Sequence, residues 1–195
     1  TTGMTVDEYM SHYVFTPAGF AAGYHTPNLP YGSVIARIYD TESYGVTLDL
    51  NGSEETHYYA EPELDYTHTA GALCITAKGL ARLCIALCGD GTVDGVRILE
   101  EETVRQMRTM QNNIGSVSCE SGRGLNLNIL TDVVADGRTV YGHQGKAYGM
   151  LCAAYFDPTD RTGIVLLTNG CDDSTFNSVG RIVRAVMRKA WTYMD

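Results

Sequence analysis

Positive charge is scarce in this chain. Fourteen lysines and arginines stand against 23 aspartates and glutamates, leaving a net charge of −9 at neutral pH. A surface of that sign repels phosphate backbones and anionic lipid, and it removes the electrostatic term on which nucleic-acid binding rests, so nucleic acid is excluded as a partner. Long apolar runs are missing too. None approaches the roughly 18 residues of a helical membrane span. Paired cysteines are also absent. The six cysteines (Cys74, Cys84, Cys88, Cys119, Cys152, Cys171) form no Cys-x-x-Cys, and neither they nor the five histidines (His12, His25, His57, His68, His143) follow a zinc-ligand spacing. No metal site and no cofactor is expected. The cysteines read as small buried hydrophobes, and Cys84 and Cys88, one helical turn apart, as partners in one packed face. Unpaired thiols favour a reducing, cytoplasmic compartment and leave a secreted or cell-envelope one open. The chain opens Thr1-Thr2-Gly3-Met4 without an initiator methionine or targeting segment, from which we expect further polypeptide upstream.

What is present is a globular composition, 44% hydrophobic and 19% charged over 195 residues, enough for one domain or a large piece of a two-lobed one. Thr5 is placed to cap a helix over Val6 to Val14, with Asp7 and Glu8 at its positive end and Pro17 and Gly19 beyond it. Two β-prone runs, Val34 to Tyr39 and Gly45 to Leu50, suggest a hairpin. Residues 52–68, rich in glutamate and tyrosine, read as a surface loop. Thr76 caps a helix through Leu87 in which Leu80, Leu83, Cys84 and Leu87 recur at helical spacing, and Gly89-Asp90-Gly91 ends it. A second helix runs from about Glu100 to Met110, with Val104, Met107 and Met110 inward.

Leu125 to Thr131, Thr139 to His143, Gly149 to Phe156 and Gly163 to Thr168 then read as strands, with turns at Asp136-Gly137 and Asp157-Pro158-Thr159-Asp160. An antiparallel meander is the simplest arrangement. A long amphipathic helix follows, capped at Asp172, Asp173 or Ser174, with Phe176, Val179, Ile182, Val183, Val186, Met187, Ala190, Trp191 and Met194 in one stripe. It should lie on one face of the sheet. The expected organisation is α+β, with residues 1–124 a mostly helical and loop lobe and residues 125–195 the sheet and terminal helix. No internal repeat is present.

The most informative stretch is Tyr141-Gly142-His143-Gln144-Gly145-Lys146-Ala147-Tyr148-Gly149, followed by Gly163-Ile164-Val165-Leu166-Leu167-Thr168-Asn169-Gly170. Glycine costs a strand packing and order, so Gly142, Gly145 and Gly149 need a reason, and close approach of a ligand to the backbone is one. A glycine-rich bulge at a sheet edge with a surface histidine is the plainer alternative. Asn169-Gly170 is a turn signal first and a pocket border second. Tyr148 is either a pocket wall or simply a β-favouring residue.

Taken in order, several segments resemble the serine hydrolase family that contains class C β-lactamases, DD-peptidases and related esterases. Thr2 to Met10 and Phe15 to Phe20 are similar to its "TGMSFEEYL…PLGM" passage, Ala70 to Arg82 to "AGGLxSTAxDLAR", and Arg97 to Val104 to "RxLSPETV". Tyr141 to Gly149 is similar to "YGHxGxxxG", and Tyr155 to Asn169 to "YDPxxxxGVVVLTN". Residues 24–68 show little match. The resemblance implies a partial β-lactamase/transpeptidase-like fold and acyl-enzyme chemistry built on three elements: Ser-x-x-Lys, Tyr-x-Asn or an equivalent, and a Lys-Thr-Gly or His-x-Gly strand.

Only the third element is here. The resemblance gives His143 a place near the proton-transfer network, lets substrate lie against the strand at Gly145, and makes the backbone N–H of Lys146 one of two oxyanion donors. Gln144, Tyr148 and Asn169 are the candidate substrate contacts. Gln144 stands where the family's β-lactamases usually carry a threonine for the substrate carboxylate, which favours esterase or peptidase activity over β-lactamase activity. None of the nine serines has a lysine three residues on, and no Tyr-x-Asn occurs. In the family both motifs precede the first matching passage. The expected substrate is therefore a small-molecule ester or amide or a peptide, cleaved with residues outside this chain. The competing expectation is a non-catalytic penicillin-binding-like scaffold serving as a binding or partner module. Either way, a sheet lacking some of its strands would self-associate or pair with a preceding segment.

Overall fold

The computed structural model describes residues 2–24, 29, 36, 38–40, 46–48, 71–111, 122–147, 150–169, 174–176 and 179–194. Thr5 does cap the first helix: its hydroxyl accepts the Glu8 N–H at 3.2 Å while the Glu8 carboxylate accepts the Thr5 N–H at 2.8 Å, a reciprocal box that satisfies two otherwise orphaned donors. Helix α1, Val6–Met10, continues as a π turn, Ser11–Phe15. Asp7 is buried in the first turn of α1 and accepts the Tyr24 N–H at 2.6 Å, fastening α1 to strand β1, Ala22–Gly23. The expected hairpin exists in shorter form as β2, Ile38–Asp40, paired with β3, Val46–Leu48. The loop expected over 52–68 lies outside the described residues.

Strand β4, Cys74–Ile75, pairs with β1 and leads into α2, Ala77–Cys88, whose N-cap Thr76 accepts the Gly79 N–H at 3.0 Å. A small hairpin of β5, Thr92–Val93, and β6, Val96–Arg97, then precedes α3, Glu101–Arg108. Phe15, Phe20, Tyr24, Ala72, Ala86 and Val93 close one apolar cluster among these elements. Met110 is exposed rather than inward, because α3 ends two residues before it.

The sheet is the expected antiparallel meander. Strands β7, Asn128–Thr131, β8, Thr139–Ala147, β9, Met150–Asp157, and β10, Thr162–Thr168, lie in the order β10-β9-β8-β7. Two boundaries differ from the sequence expectation. Strand β7 begins at Asn128 rather than Leu125, because the Leu125 N–H bonds to the Met107 carbonyl at 3.0 Å and Asn126 turns the chain at φ 54°. Strand β8 runs four residues beyond His143, held along that length by β9.

Both faces of the sheet are covered. Leu130, Val140, Leu151, Ala153 and Tyr155 pack on one face against Val183, Met187 and Trp191 of α4, Arg181–Trp191. Phe156, Ala154, Val165 and Tyr141 pack on the other against Cys84, Cys88 and Leu87 of α2 and Met107 of α3. Burying each large side chain contributes about 1.5–3 kcal/mol. Burial also pushes the Cys84 thiol up to about 12, so Cys84 is the inert core thiol the sequence suggests, and Cys88 shares its cluster.

The terminal helix corrects a sequence expectation. It starts at Arg181 rather than near Asp172, because β11, Thr175–Phe176, and β12, Val179–Gly180, form a tight hairpin and the Arg181 N–H closes on the Ser174 carbonyl at 2.9 Å. Its buried stripe is narrower than expected. Val183, Met187 and Trp191, four apart, face the sheet, whereas Phe176, Ile182, Val186 and Met194 remain exposed.

Charge fixes the sheet's turns. Arg138, before β8, pairs with both Asp157 and Asp160 of the β9–β10 turn, and Arg188 of α4 pairs with Asp136 while donating to the Asp132 carbonyl at 2.9 Å. Hydrogen bonds from Thr162, then from Arg138, lower the Asp160 carboxyl to about 2. A folded-state value depressed in this way adds stability that is full above the unfolded carboxylate range and is lost as pH falls toward 2. The urea midpoint should therefore drop between about pH 4.5 and 2, and Arg138→Met should flatten that part of the profile.

Candidate active site

Antiparallel pairing assigns each residue of β8 to a face. Tyr141, His143 and Gly145 stand opposite Phe156, Ala154 and Cys152, and Gln144 and Lys146 stand opposite Ala153 and Leu151. Paired residues project to the same side and successive ones to opposite sides. His143 and Gly145 therefore share the α2 face with Phe156 and Ala154, while Gln144 and Lys146 share the α4 face with Leu151 and Ala153. His143 and Gly145 are exposed there.

The glycines divide by purpose. A Cβ on Gly142, whose φ is 155°, would stand 2.0 Å from the Ala154 carbonyl oxygen and 2.8 Å from the Tyr155 Cα. Gly142 is thus demanded by the neighbouring strand, not by a ligand. A Cβ on Gly145 would meet nothing within 4 Å, so Gly145 leaves open space above the backbone.

Backbone direction follows from one bond. The Asp132 N–H donates to the Arg138 carbonyl at 3.1 Å, which makes that pair, and every second pair after it along β7 and β8, the hydrogen-bonded type. Residues 138, 140 and 142 thus direct their amides toward β7, and by the same alternation the amides of Gln144 and Lys146 point to that side. Pairing with β7 stops at Gly142. The Lys146 N–H consequently points past the end of β7, at the level of the open space above Gly145.

The other candidates separate. Gln144 accepts the Gly180 N–H through its side-chain oxygen at 2.9 Å, clamping the start of α4 to β8 on the face opposite His143. That bond holds the side chain on the α4 face, away from His143 and the space above Gly145. Asn169 is exposed just after β10, one residue past Thr168, which is level with Lys146 two strands away, about 10 Å by strand spacing. Tyr148 lies outside the described residues. Cys152 was not singled out from the sequence as a site residue, yet it is half-buried directly across from Gly145. The alternation of β9 carried that signal. Among the described residues, no group of three or more His, Cys, Asp or Glu could hold a metal ion, and no helix is long and apolar enough to cross a membrane. A cavity of about 540 Å³ lies elsewhere, between α2 and β10.

The stability of two variants separates the glycine roles. Gly142→Ala should lower unfolding free energy by about 3 kcal/mol or more, the scale of a forced backbone shift in a packed region. Gly145→Ala should change it by less than about 1 kcal/mol, both read from urea denaturation.

Comparison with known proteins bears on the family and the fold. A family model described as Beta-lactamase matches residues 1–186. Two curated proteins of Mycobacterium tuberculosis, "Uncharacterized protein MT1414" of strain CDC 1551 / Oshkosh and "Protein Rv1367c" of strain ATCC 25618 / H37Rv, are each 32% identical over 133 residues, covering 60% of this chain and 32% of their own length. A D-stereospecific amidohydrolase from Streptomyces sp. superposes with a TM-score of 0.64 at 17% identity, over 95% of this chain and 48% of that one. A penicillin binding protein from Bacillus halodurans superposes with a TM-score of 0.61 at 21% identity, over 100% of this chain and 50% of that one. At those identities the two structures establish a shared fold. The chain spans about half the length of each, and about a third of the length of the curated relatives.

Proposed function

We propose that this chain, which belongs to the beta-lactamase family, forms the sheet side of a serine hydrolase active site that cleaves an ester or amide through an acyl-enzyme. The observation that carries the reading is the stretch of β8 past Gly142, where the strand outruns β7, exposes His143 and leaves the space above Gly145 empty. A substrate laid against this stretch meets backbone rather than a side chain at Gly145. Its carbonyl oxygen sits between the Lys146 N–H and the N–H of the nucleophile, where negative charge develops as the tetrahedral centre forms. One such donor is worth on the order of 3 kcal/mol of transition-state stabilisation.

In the proposed step the serine oxygen bonds to the carbonyl carbon and its proton passes to the leaving alcohol or amine as the ester or amide bond breaks. Water then releases the acid and restores the serine. The serine, lysine and tyrosine of this chemistry come from polypeptide outside the 195 residues, since none of the nine serines here has a lysine three positions on. His143 contributes a polar or cationic group beside the proton path. Asn169 borders the same end of the sheet. The sequence departure at Gln144, together with its bond to Gly180, favours esterase or peptidase chemistry over β-lactam hydrolysis. No cofactor enters the scheme. The reading also implies a polypeptide partner, a preceding segment or another copy, for the side of the sheet bounded by β10.

Intact mass after treatment with a fluorophosphonate tests the assignment. The 195-residue chain should gain no adduct, and the product of the full open reading frame should gain one on a serine. In that full-length protein, His143→Ala and Gly145→Val should each lower kcat/KM for an ester substrate by on the order of 10²-fold, with the urea midpoint little changed. A stoichiometric serine adduct on the 195-residue chain would refute the assignment of the nucleophile. A full-length protein that retains a fluorescent penicillin but never gains the fluorophosphonate adduct would favour the non-catalytic scaffold.

A further inference from the structure

Beyond Gly142, β8 pairs with β9 on one edge while β7 no longer accompanies it on the other. A strand held along one edge can tilt about that edge, and a tilt there would carry the Lys146 N–H with it. The face turned to α4 supplies a further hold. The Gly180 N–H donates to the Gln144 side-chain oxygen at 2.9 Å, a half-buried bond between residues 36 apart in the chain.

Gly180 is shaped for that contact. A Cβ there would stand 2.4 Å from Leu151 Cδ2 and 3.2 Å from its Cγ, so only a glycine lets the backbone lie this close to Leu151. Leu151 is the β9 partner of Lys146. The Gly180 backbone therefore meets the sheet at two points, Gln144 on β8 and Leu151 across from Lys146. Its own place is set independently. Val179, the residue before it, is buried in the cluster between the sheet and α4, and the β11–β12 hairpin is closed by the Thr175–Gly180 pair and by the Arg181 N–H on the Ser174 carbonyl at 2.9 Å.

We propose that Gln144 is a positioning residue of the active site: by taking the Gly180 N–H it ties the stretch of β8 beyond β7 to the β11–β12 hairpin, and so fixes where the Lys146 N–H meets the substrate carbonyl. The inference rests on the hydrolase reading above and adds to it a residue that acts from the opposite face of the strand without touching substrate. Misplacing a catalytic group by about 1 Å can cost on the order of 10²-fold in rate. A donor that acts on developing charge is felt in kcat, whereas a side chain that merely binds substrate is felt in KM. The two roles for Gln144 thus predict opposite kinetics.

The test compares Gln144→Met, similar in length but without the acceptor, with Gln144→Glu, which keeps an oxygen at the same reach. Both are made in the product of the full open reading frame and assayed with p-nitrophenyl acetate. Gln144→Met should lower kcat by about tenfold with KM changed by less than about twofold, and should slow fluorophosphonate labelling by the same factor as kcat. Gln144→Glu should keep kcat within about threefold of the unsubstituted protein. Hydrogen exchange supplies the structural readout: the Gly180 amide should exchange about tenfold faster in Gln144→Met and not in Gln144→Glu, with the far-ultraviolet circular dichroism of both unchanged. A raised KM at unchanged kcat in Gln144→Met would overturn the proposal in favour of a substrate contact. Equal losses of kcat in the two variants, or a loss without faster exchange at Gly180, would also overturn it. An unsubstituted full-length protein that neither turns over the ester nor takes the label would overturn the hydrolase reading and this inference together, whereas an active one indifferent to Gln144→Met would overturn this inference alone.

Discussion

Register between β8 and β9 is the constraint on which the rest of the structure depends. The two strands pair without interruption from Tyr141 opposite Phe156 to Ala147 opposite Met150. A slip of one residue would turn His143 and Gly145 toward α4 and Gln144 toward α2. What resists the slip is packing on both sides. Phe156 and Ala154 are required by the Cys84 and Cys88 cluster, Tyr155 and Ala153 by Val183 and Met187, and Gly142 by the Ala154 carbonyl against it. The placement of the site residues is thus a by-product of a sheet buried on two faces.

Charge and polar bonds hold that sheet at its rims. Arg138 joins the β7–β8 and β9–β10 turns, Arg188 ties α4 to the first of these, and Gln144 holds the start of α4 against β8. These contacts sit at opposite ends of the strands, so they fix the tilt of α4 on the sheet as well as its position. Beyond Gly142, β8 outruns β7 and carries one of these contacts, at Gln144. That is where backbone and an exposed histidine are presented together, on a strand rather than a loop.

The membership of the beta-lactamase family and the fold of the two structural neighbours belong to the chain as a whole. The chemistry proposed for it rests on a much smaller set of atoms on one strand, because a fold accommodates many reactions and a site specifies one. Gln144 shows the difference. Its place in the motif suggested a substrate contact, and its side chain carries a structural bond that the linear motif could not reveal.

Local physics was legible in the amino-acid order. Thr5 with Glu8, and Thr76 before an apolar helical repeat, marked helix starts because capping acts over three residues. The alternating runs and their Asp-Gly and Asp-Pro turns marked the meander, because pleating and turn chemistry are also local. Where a boundary depended on a distant partner, the sequence was silent: Leu125 is taken by the Met107 carbonyl, and the terminal helix waits for a hairpin that ends at Gly180. The same division runs through the site. The family resemblance singled out His143, Gly145 and Lys146, and the structure carries all three on one strand that runs past the His143 end suggested by the sequence. Only the tertiary structure decided that Gly142 serves the neighbouring strand and Gly145 does not, that Gln144 faces away, and that Cys152 stands across from the open space, because each depends on which backbone lies 5 Å to the side in a neighbouring strand.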